Sequence, residues 1–412
     1  MQQMIIEIVF FTVLAAVVLG FWALMTYVWK PKRKWPGWVL YLLFITAWFM
    51  TVRYFFLHQV ELFGTPYYLW FTLFRTESYA FAFSLFLAVP VLLLLVILYA
   101  MVNRIARRWA NSKAQRVSER TDFENQDIPT PDPIGRRNFF RTVGAVVPLA
   151  ALGGSSYAAF VGQHEITITH ERFGYTNLPD GLKHYKIVQL SDIHVGPSID
   201  LDDFDEILSL ALKEKPNRVV ITGDLIDRVA WLPQVCEKLT AFSKQIPDGV
   251  DYILGNHEYH YDVHHIVDSI KKKTPLNVLI NSNIQIMGGK QPVYIAGVAY
   301  DNKRDKDNRE AMITTALSGI PAHAFVILLA HHPEFFEEAV ERNIPLTLAG
   351  HTHGGQIVVM GQPLVPTGTP YTKGRYTEKN SVCYVNNGTG HWFPVRVNCP
   401  REITVITFFD GK

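Results

Sequence analysis

Ile5 to Trp29 is almost uninterrupted apolar sequence, and such a length constrains the fold more than any other feature, because ~20 helical residues suffice to cross a hydrocarbon core. Trp38–Leu57 and Phe81–Val102 have similar length and composition, with Trp and Tyr near their ends where amphipathic rings favour the interface. Residues 1–103 are therefore expected to hold three transmembrane helices, at about 5–29, 38–57 and 81–102. A fourth apolar stretch, Val143–Val161, is rich in Gly, Ala and Ser and reads either as a permanent anchor or as a signal-like core. The overall net charge of +2 argues against a nucleic-acid partner held by a basic surface. Cys236, Cys383 and Cys399 are too few and too far apart for a disulfide framework or a cysteine zinc site; Cys383 and Cys399 could pair in an oxidising compartment, but unpaired thiols are the expected state.

Cationic short loops stay on the cytoplasmic side of a membrane, so the placement of Lys and Arg gives an orientation. Lys30, Lys32, Arg33 and Lys34 lie between the first two spans, and Arg104, Arg107, Arg108, Lys113, Arg116 and Arg120 follow the third. Both loops are expected inside and His58–Tyr79 outside, which sends the chain back out through Val143–Val161. Arg53, inside the second span near its outer end, is expected to snorkel to the interface. Residues 104–142 read as a cytoplasmic basic and Pro-containing linker. Within it, Gly135-Arg136-Arg137-Asn138-Phe139-Phe140-Arg141 either resembles a twin-arginine export signal or pins a helix end. Both readings put residues 164–412 outside.

That second half has another grammar. Short β-branched runs alternate with amphipathic stretches, the signature of an α/β domain. Ile187–Leu190 runs into Ser191-Asp192-Ile193-His194, Arg218–Thr222 into Gly223-Asp224-Leu225-Ile226-Asp227, and Tyr252–Leu254 into Gly255-Asn256-His257-Glu258. Val326–Leu329 ends in Ala330-His331-His332, and Leu346–Leu348 in Ala349-Gly350-His351-Thr352-His353-Gly354-Gly355-Gln356. Binding sites in open α/β sheets lie beyond the carboxyl ends of the strands, so five such tips can converge from distant parts of the chain. Alone, Asp192-x-His194 or Gly223-Asp224 is as easily a turn. Two histidines one residue apart after a buried strand need something to satisfy them. The joint pattern, Asp, His and Asn at successive strand ends, is the donor set of a hydrolytic site for divalent ions such as Mn, Fe or Zn.

These five blocks resemble the calcineurin-like metallophosphoesterase superfamily, whose pattern is D-x-H, G-D-x-x-D, G-N-H-E, a later His and G-H-x-H, and especially a bacterial membrane-associated branch carrying G-H-T-H-G-G-Q. The likeness runs over roughly Lys186–Phe408 and leaves the first hundred residues uncovered. It implies an α/β fold, a four-layer α/β/β/α sandwich, here preceded by a transmembrane helical region. It also implies a binuclear centre: Asp192, His194 and His353 on a first metal, Asn256, His331 and His351 on a second, and Asp224 bridging. His257 matches the histidine that contacts the phosphoryl group and protonates the leaving oxygen. Asp227 and Glu258 would orient these groups, Arg396 would contact phosphate or form a structural salt bridge, and His332 would be a neighbouring or surface residue. His260 and His264 have zinc-like spacing but no third ligand in view, and read as rim residues. Asp301–Arg309 reads as a solvated charged loop.

The expected activity is hydrolysis of a phosphodiester or pyrophosphate by two-metal activation of water, at the outer face of a bacterial cytoplasmic membrane. The expected partners are the bilayer and a phosphoester substrate, for which the resemblance suggests a lipid or nucleotide-sugar envelope precursor. A phosphomonoesterase of broad specificity is an alternative, as is a non-catalytic sensor whose helices dock a partner; an intact His257 beside a full ligand set argues against the sensor. Oligomeric state cannot be read from these residues.

Overall fold

The computed structural model describes residues 65–118, 136–300, 305–364, 366–391 and 393–411. The expected spans 5–29 and 38–57, their basic loop, Arg53 and the Pro-containing part of the linker lie outside the described residues. The chain divides into two compact units, with the boundary between Ala159 and Phe160.

In the first unit, helix α1 runs over Pro66–Ser118 and helix α2 over Arg136–Tyr157. Among the described residues, two stretches of helix are long and apolar enough to cross a membrane, Leu87–Trp109 and Thr142–Gly162. Both expected boundaries move. The span expected at 81–102 lies inside one long helix, because Arg104, Arg107, Arg108, Lys113 and Arg116 are good helix formers and continue it where a basic loop was expected. Tyr79 also lies on this helix instead of an outer loop. Arg136 and Arg137 open α2, so the expected linker 104–142 is helical at both its described ends.

The second unit contains two six-stranded sheets. The first has strands β1 (Ile166–Tyr175), β2 (Lys186–Leu190), β3 (Arg218–Thr222), β4 (Val250–Ile253) and β5 (Asn277–Val278), with the final strand β14 (Arg401–Asp410) between β1 and β2. The second has β6 (Ser282–Met287), β7 (Val293–Gly297), β8 (Phe325–Leu329), β9 (Leu346–Ala349), β12 (Gly374–Glu378) and β13 (Ser381–Val385), in the order β12-β13-β9-β8-β7-β6. A small hairpin, β10 (Val358–Val359) and β11 (Gln362–Pro363), stands apart from both. Strands β2, β3 and β4 run parallel, as do β7, β8, β9 and β13, so their carboxyl ends point one way within each sheet.

Ile187, Val220, Ile253 and Ile406 of the first sheet meet Ile295, Ile327, Leu329 and Leu348 of the second in one buried core. The other face of the first sheet is covered by helices α3 (Leu201–Lys213), α4 (Leu232–Ser243) and α6 (Val263–Lys273), with the short α5 (Asn256–His260) leading into α6. The far face of the second sheet is covered by α7 (Lys306–Ala316) and α8 (Phe335–Glu341). This is the four-layer α/β/β/α sandwich. Strands β3 and β8 are buried on both faces, so Val219–Ile221 and Phe325–Leu329 read as continuous apolar runs rather than alternating ones. One charged stretch departs from expectation. Asp305 caps α7 and Arg309 is buried on it, its Nε 2.9 Å from Glu338 Oε1, because a buried acid on α8 faces that turn.

Candidate metal centre

Five strands deliver the candidate ligands. Asp192 and His194 follow β2, Asp224 follows β3, Asn256 opens α5 after β4, His331 follows β8, and His351 and His353 follow β9. Five of these seven residues, Asp192, His194, Asp224, His351 and His353, have φ between 51° and 71°, a left-handed conformation rare for residues with a Cβ. Local propensity does not favour it, so the packing of the strand ends must enforce it, as happens where a site is pre-organised.

Glu258 does much of this. Its buried carboxylate accepts the N–H groups of Asp224 (3.1 Å), Leu225 (2.7 Å), Ile226 (3.3 Å) and Gly255 (2.7 Å), which fixes the β3 and β4 tips to each other. On the other side Asp192 accepts the N–H of His351 at 3.0 Å and the Ser191 hydroxyl. Gly350 lies so close to Ser191 and Asp192 that a Cβ there would collide with both side chains.

The result, among the described residues, is two groups of donors beside Asp224, with a third, His194, Asp227 and His257, sharing His194 at the edge. Asp192, His194 and His353 form one: His194 Nε2 faces His353 Nε2 at 3.1 Å, and Asp192 Oδ1 is 3.5 Å from His353 Nε2. Asp224, His331, His351 and Asn256 form the other: Asn256 Oδ1 lies 3.0 Å from His331 Nε2 and 2.9 Å from His351 Nδ1, and those two nitrogens are 3.2 Å apart. Asp224 Oδ2 sits between the groups, 3.3 Å from His331 Nε2 and 3.7 Å from His194 Nε2. Lone pairs of nitrogen and carboxylate oxygen converge here with little apolar filling, and neutral imidazole with carboxylate is the donor chemistry of divalent transition metals. The residues fit a metal.

The surrounding contacts orient the rings. His331 Nδ1 is 2.8 Å from the Thr222 carbonyl, and His194 Nδ1 is 3.1 Å from Asp227 Oδ1, so in both the other nitrogen faces the cluster. Asp227 Oδ1 also lies 2.7 Å from His257 Nδ1, at the half-exposed edge of the site, while the His257 N–H donates to Asp224 Oδ1 at 2.8 Å. Burial opposes a charged ring at His257, yet Asp224 and Asp227 raise it to about 10. His331 is likewise raised to about 9 against its burial, by Asp224 and Asp192. Burial would push Asp224 up, but the rings of His331 and His257 hold it well below the usual carboxylate range. Burial pushes Asp192 up. His353 is held well below the usual histidine value by burial, then by His194 and Arg396.

Some expectations change. Arg396 was expected to contact phosphate or form a salt bridge, but it is only 1% exposed, and its guanidinium donates to the carbonyls of Cys399 (2.9 Å), Asn387 (2.9 Å) and Gly390 (2.7 Å). A buried loop with inward carbonyls needs donors, and this side chain supplies them. Of the two readings of His332, neighbouring or surface residue, the structure fits the first: it is buried, with its ring 3.9 Å from that of His351. His264 and His265 are exposed on α6, and the His260 ring lies tilted 5.2 Å from that of His257; none joins a metal-competent group among the described residues. The reading of the sequence missed a sixth strand end: β13 runs into Asn386-Asn387-Gly388-Thr389-Gly390, where Thr389 and Gly390 donate their N–H groups to the carbonyls of Ser191 and Asp192. The signal was there, a β-branched run followed by small polar residues and glycine, but without a ligand type to draw attention to it.

The calcineurin-like phosphoesterase family model matches residues 185–355, the stretch that carries all seven candidate ligands. A metallophosphoesterase of Bacillus subtilis is 30% identical over 290 residues, which cover 66% of this chain and 97% of that protein. The chain is a calcineurin-like metallophosphoesterase. A metallophosphoesterase of Campylobacter jejuni is 32% identical over 239 residues, and this metallophosphoesterase spans 62% of that relative's length. A transmembrane protein with a metallophosphoesterase domain from Danio rerio is 26% identical over 335 residues, 77% of this chain and 70% of the relative. The metallophosphoesterase is thus a phosphoester hydrolase with a cluster of His and Asp residues able to bind metal.

Proposed function

We propose that this metallophosphoesterase is a membrane-anchored hydrolase that uses two divalent ions to cleave phosphodiester or pyrophosphate linkages at the extracytoplasmic face of a bacterial cytoplasmic membrane. The observation that carries the reading is the place of Asp224 Oδ2 between two separate donor groups, within 3.7 Å of a histidine nitrogen in each. One carboxylate shared by two nitrogen-rich pockets is what a binuclear hydrolytic centre requires.

Two bound ions would supply a water acidic enough to attack phosphorus near neutral pH, and would offset charge on the phosphoryl oxygens. Asp192, His194 and His353 would hold one, Asn256, His331 and His351 the other, and Asp224 both. His257 has Nδ1 committed to Asp227, so proton transfer to the leaving oxygen falls to Nε2. Asp227, 2.7 Å from Nδ1, favours the protonated ring, the state a general acid needs.

Membrane anchoring rests on the two long apolar stretches and on the description of the Danio rerio relative as a transmembrane protein. The outward placement rests on the distribution of Lys and Arg and on the paired Arg136-Arg137. A hydrolase held at a bilayer meets amphipathic phosphoesters first, and a lipid or nucleotide-sugar envelope precursor is the substrate class we favour. The test is manganese-dependent hydrolysis of a chromogenic phosphodiester and its monoester by the full-length detergent-solubilised protein. Diester turnover exceeding monoester turnover supports the reading. The reverse preference would make the protein a phosphomonoesterase, and turnover of neither by metal-loaded protein would remove the general-esterase reading.

A further inference from the structure

Arg396 is a large, fully buried cation that takes no part in the chemistry proposed above. Its Nη2 donates to the carbonyls of Asn387 and Gly390 and rests 3.3 Å from His353 Nδ1, while Nη1 donates to the carbonyl of Cys399. The loop it clamps, Asn387–Gly390, is the one whose Thr389 and Gly390 amides hold the Ser191 and Asp192 carbonyls. The fit is close: a Cβ on Gly390 would collide with the Ile193 carbonyl, and one on Gly388 with His353 Nδ1. Arg396 therefore braces the backbone of Ser191 and Asp192 through one loop and touches the ring of His353 itself, which makes two ligands of one donor group. Its link to the other group is indirect: Asp224 is fixed by Glu258 and His331 by Thr222, while His351 donates its N–H to Asp192.

The other side of Arg396 meets the segment that leaves the second apolar stretch. A Cβ on Gly162 would collide with the Arg396 carbonyl oxygen. Two residues later the His164 carbonyl accepts from Arg401 Nη2 at 3.1 Å, and the Glu165 carbonyl accepts the Arg401 N–H at 3.0 Å. Arg396 and Arg401 bracket a single short loop that contacts the Gly162–Glu165 segment on one side and a metal pocket on the other.

We infer that Arg396 is a positioning residue for one ion only, the one held by Asp192, His194 and His353, and that the seating of Gly162–Glu165 against the Arg396 loop tunes that pocket. The inference rests on the two-ion reading. Groups that orient metal ligands typically contribute 10- to 100-fold in metal affinity, so a selective loss of about that size is expected at one pocket.

The experiment is titration of metal-free, full-length protein in detergent with Co²⁺, followed by its visible absorption. His353→Ala and His331→Ala identify which step belongs to which pocket. In Arg396→Gln the step lost in His353→Ala should weaken by about tenfold or more while the other stays within about twofold, and Arg396→Lys, which keeps the charge and some donors, should recover part of it. Gly162→Ala should weaken the same step without touching any ligand. If Arg396→Gln fails to fold, as judged by thermal melting without metal, Arg396→Lys and Gly162→Ala carry the test. Equal weakening of both steps, or no change in either, would overturn the inference. Failure of the unaltered protein to bind two ions would instead overturn the two-ion reading.

Discussion

His194 Nε2 faces His353 Nε2 across 3.1 Å, and two imidazole nitrogens can approach that closely only with a proton or a cation between them. His194 Nδ1 is already against Asp227, and burial disfavours protonating His353, so a cation is the stronger bridge. Metal should therefore stabilise the folded domain. At a free Mn²⁺ concentration a hundred times its dissociation constant the gain is about 2.7 kcal/mol per site, and it should vanish with chelator. Thermal melts with and without Mn²⁺ check this, and a melting temperature indifferent to both would contradict it.

Metal uptake should depend on pH in a definite direction. His331 is raised to about 9 by Asp224 and Asp192, so below that pH the ring carries a proton that an incoming ion must displace. Affinity should rise with pH and level off near 9. Calorimetry at pH 7.5 in two buffers of different ionisation heat should reveal release of about one proton or more per chain as the site fills. Identical apparent enthalpies in the two buffers would rule out the displacement.

Glu258 should matter for folding more than for chemistry. Its carboxylate satisfies four backbone amides from two strand ends, and leaving a buried donor unpaired costs about 1–3 kcal/mol each. Glu258→Ala should destabilise the domain by roughly 3 kcal/mol or more, and Glu258→Gln, which keeps an acceptor oxygen, by distinctly less. Urea unfolding of the three proteins gives the comparison.

His257 should show the opposite pattern. His257→Asn should lower kcat by about 10²- to 10⁴-fold while metal content stays unchanged, since the role proposed for the ring is to donate a proton and not to hold an ion. Asp227→Asn should do less damage, since it weakens the orientation of His257 and His194 without removing either. Steady-state kinetics beside metal analysis of each variant separates the two roles.

Much of the site was legible because its chemistry is local to each strand end. Asp192-x-His194 and His351-x-His353 each place two ligands on one tip, and a sequence shows such pairs directly. What it does not show is what the tips rest on. Thr222 holds His331 through a backbone carbonyl, which has no side-chain signature. Arg396 reads as a phosphate contact or a structural salt bridge, since the sequence does not show the inward carbonyls of Asn387, Gly390 and Cys399 that accept from it. In the membrane part, the expected Phe81–Val102 span lies within Pro66–Ser118, whose apolar window is Leu87–Trp109, and Arg and Lys carry the helix beyond the end that apolar length suggests.

The most direct measurement is an anomalous difference map from crystals of the protein grown with Mn²⁺. The account predicts two peaks about 3.5–4 Å apart on either side of the Asp224 carboxylate, one against His194 and His353 and the other against His331 and His351. A single peak, or two peaks that do not share Asp224, would contradict it.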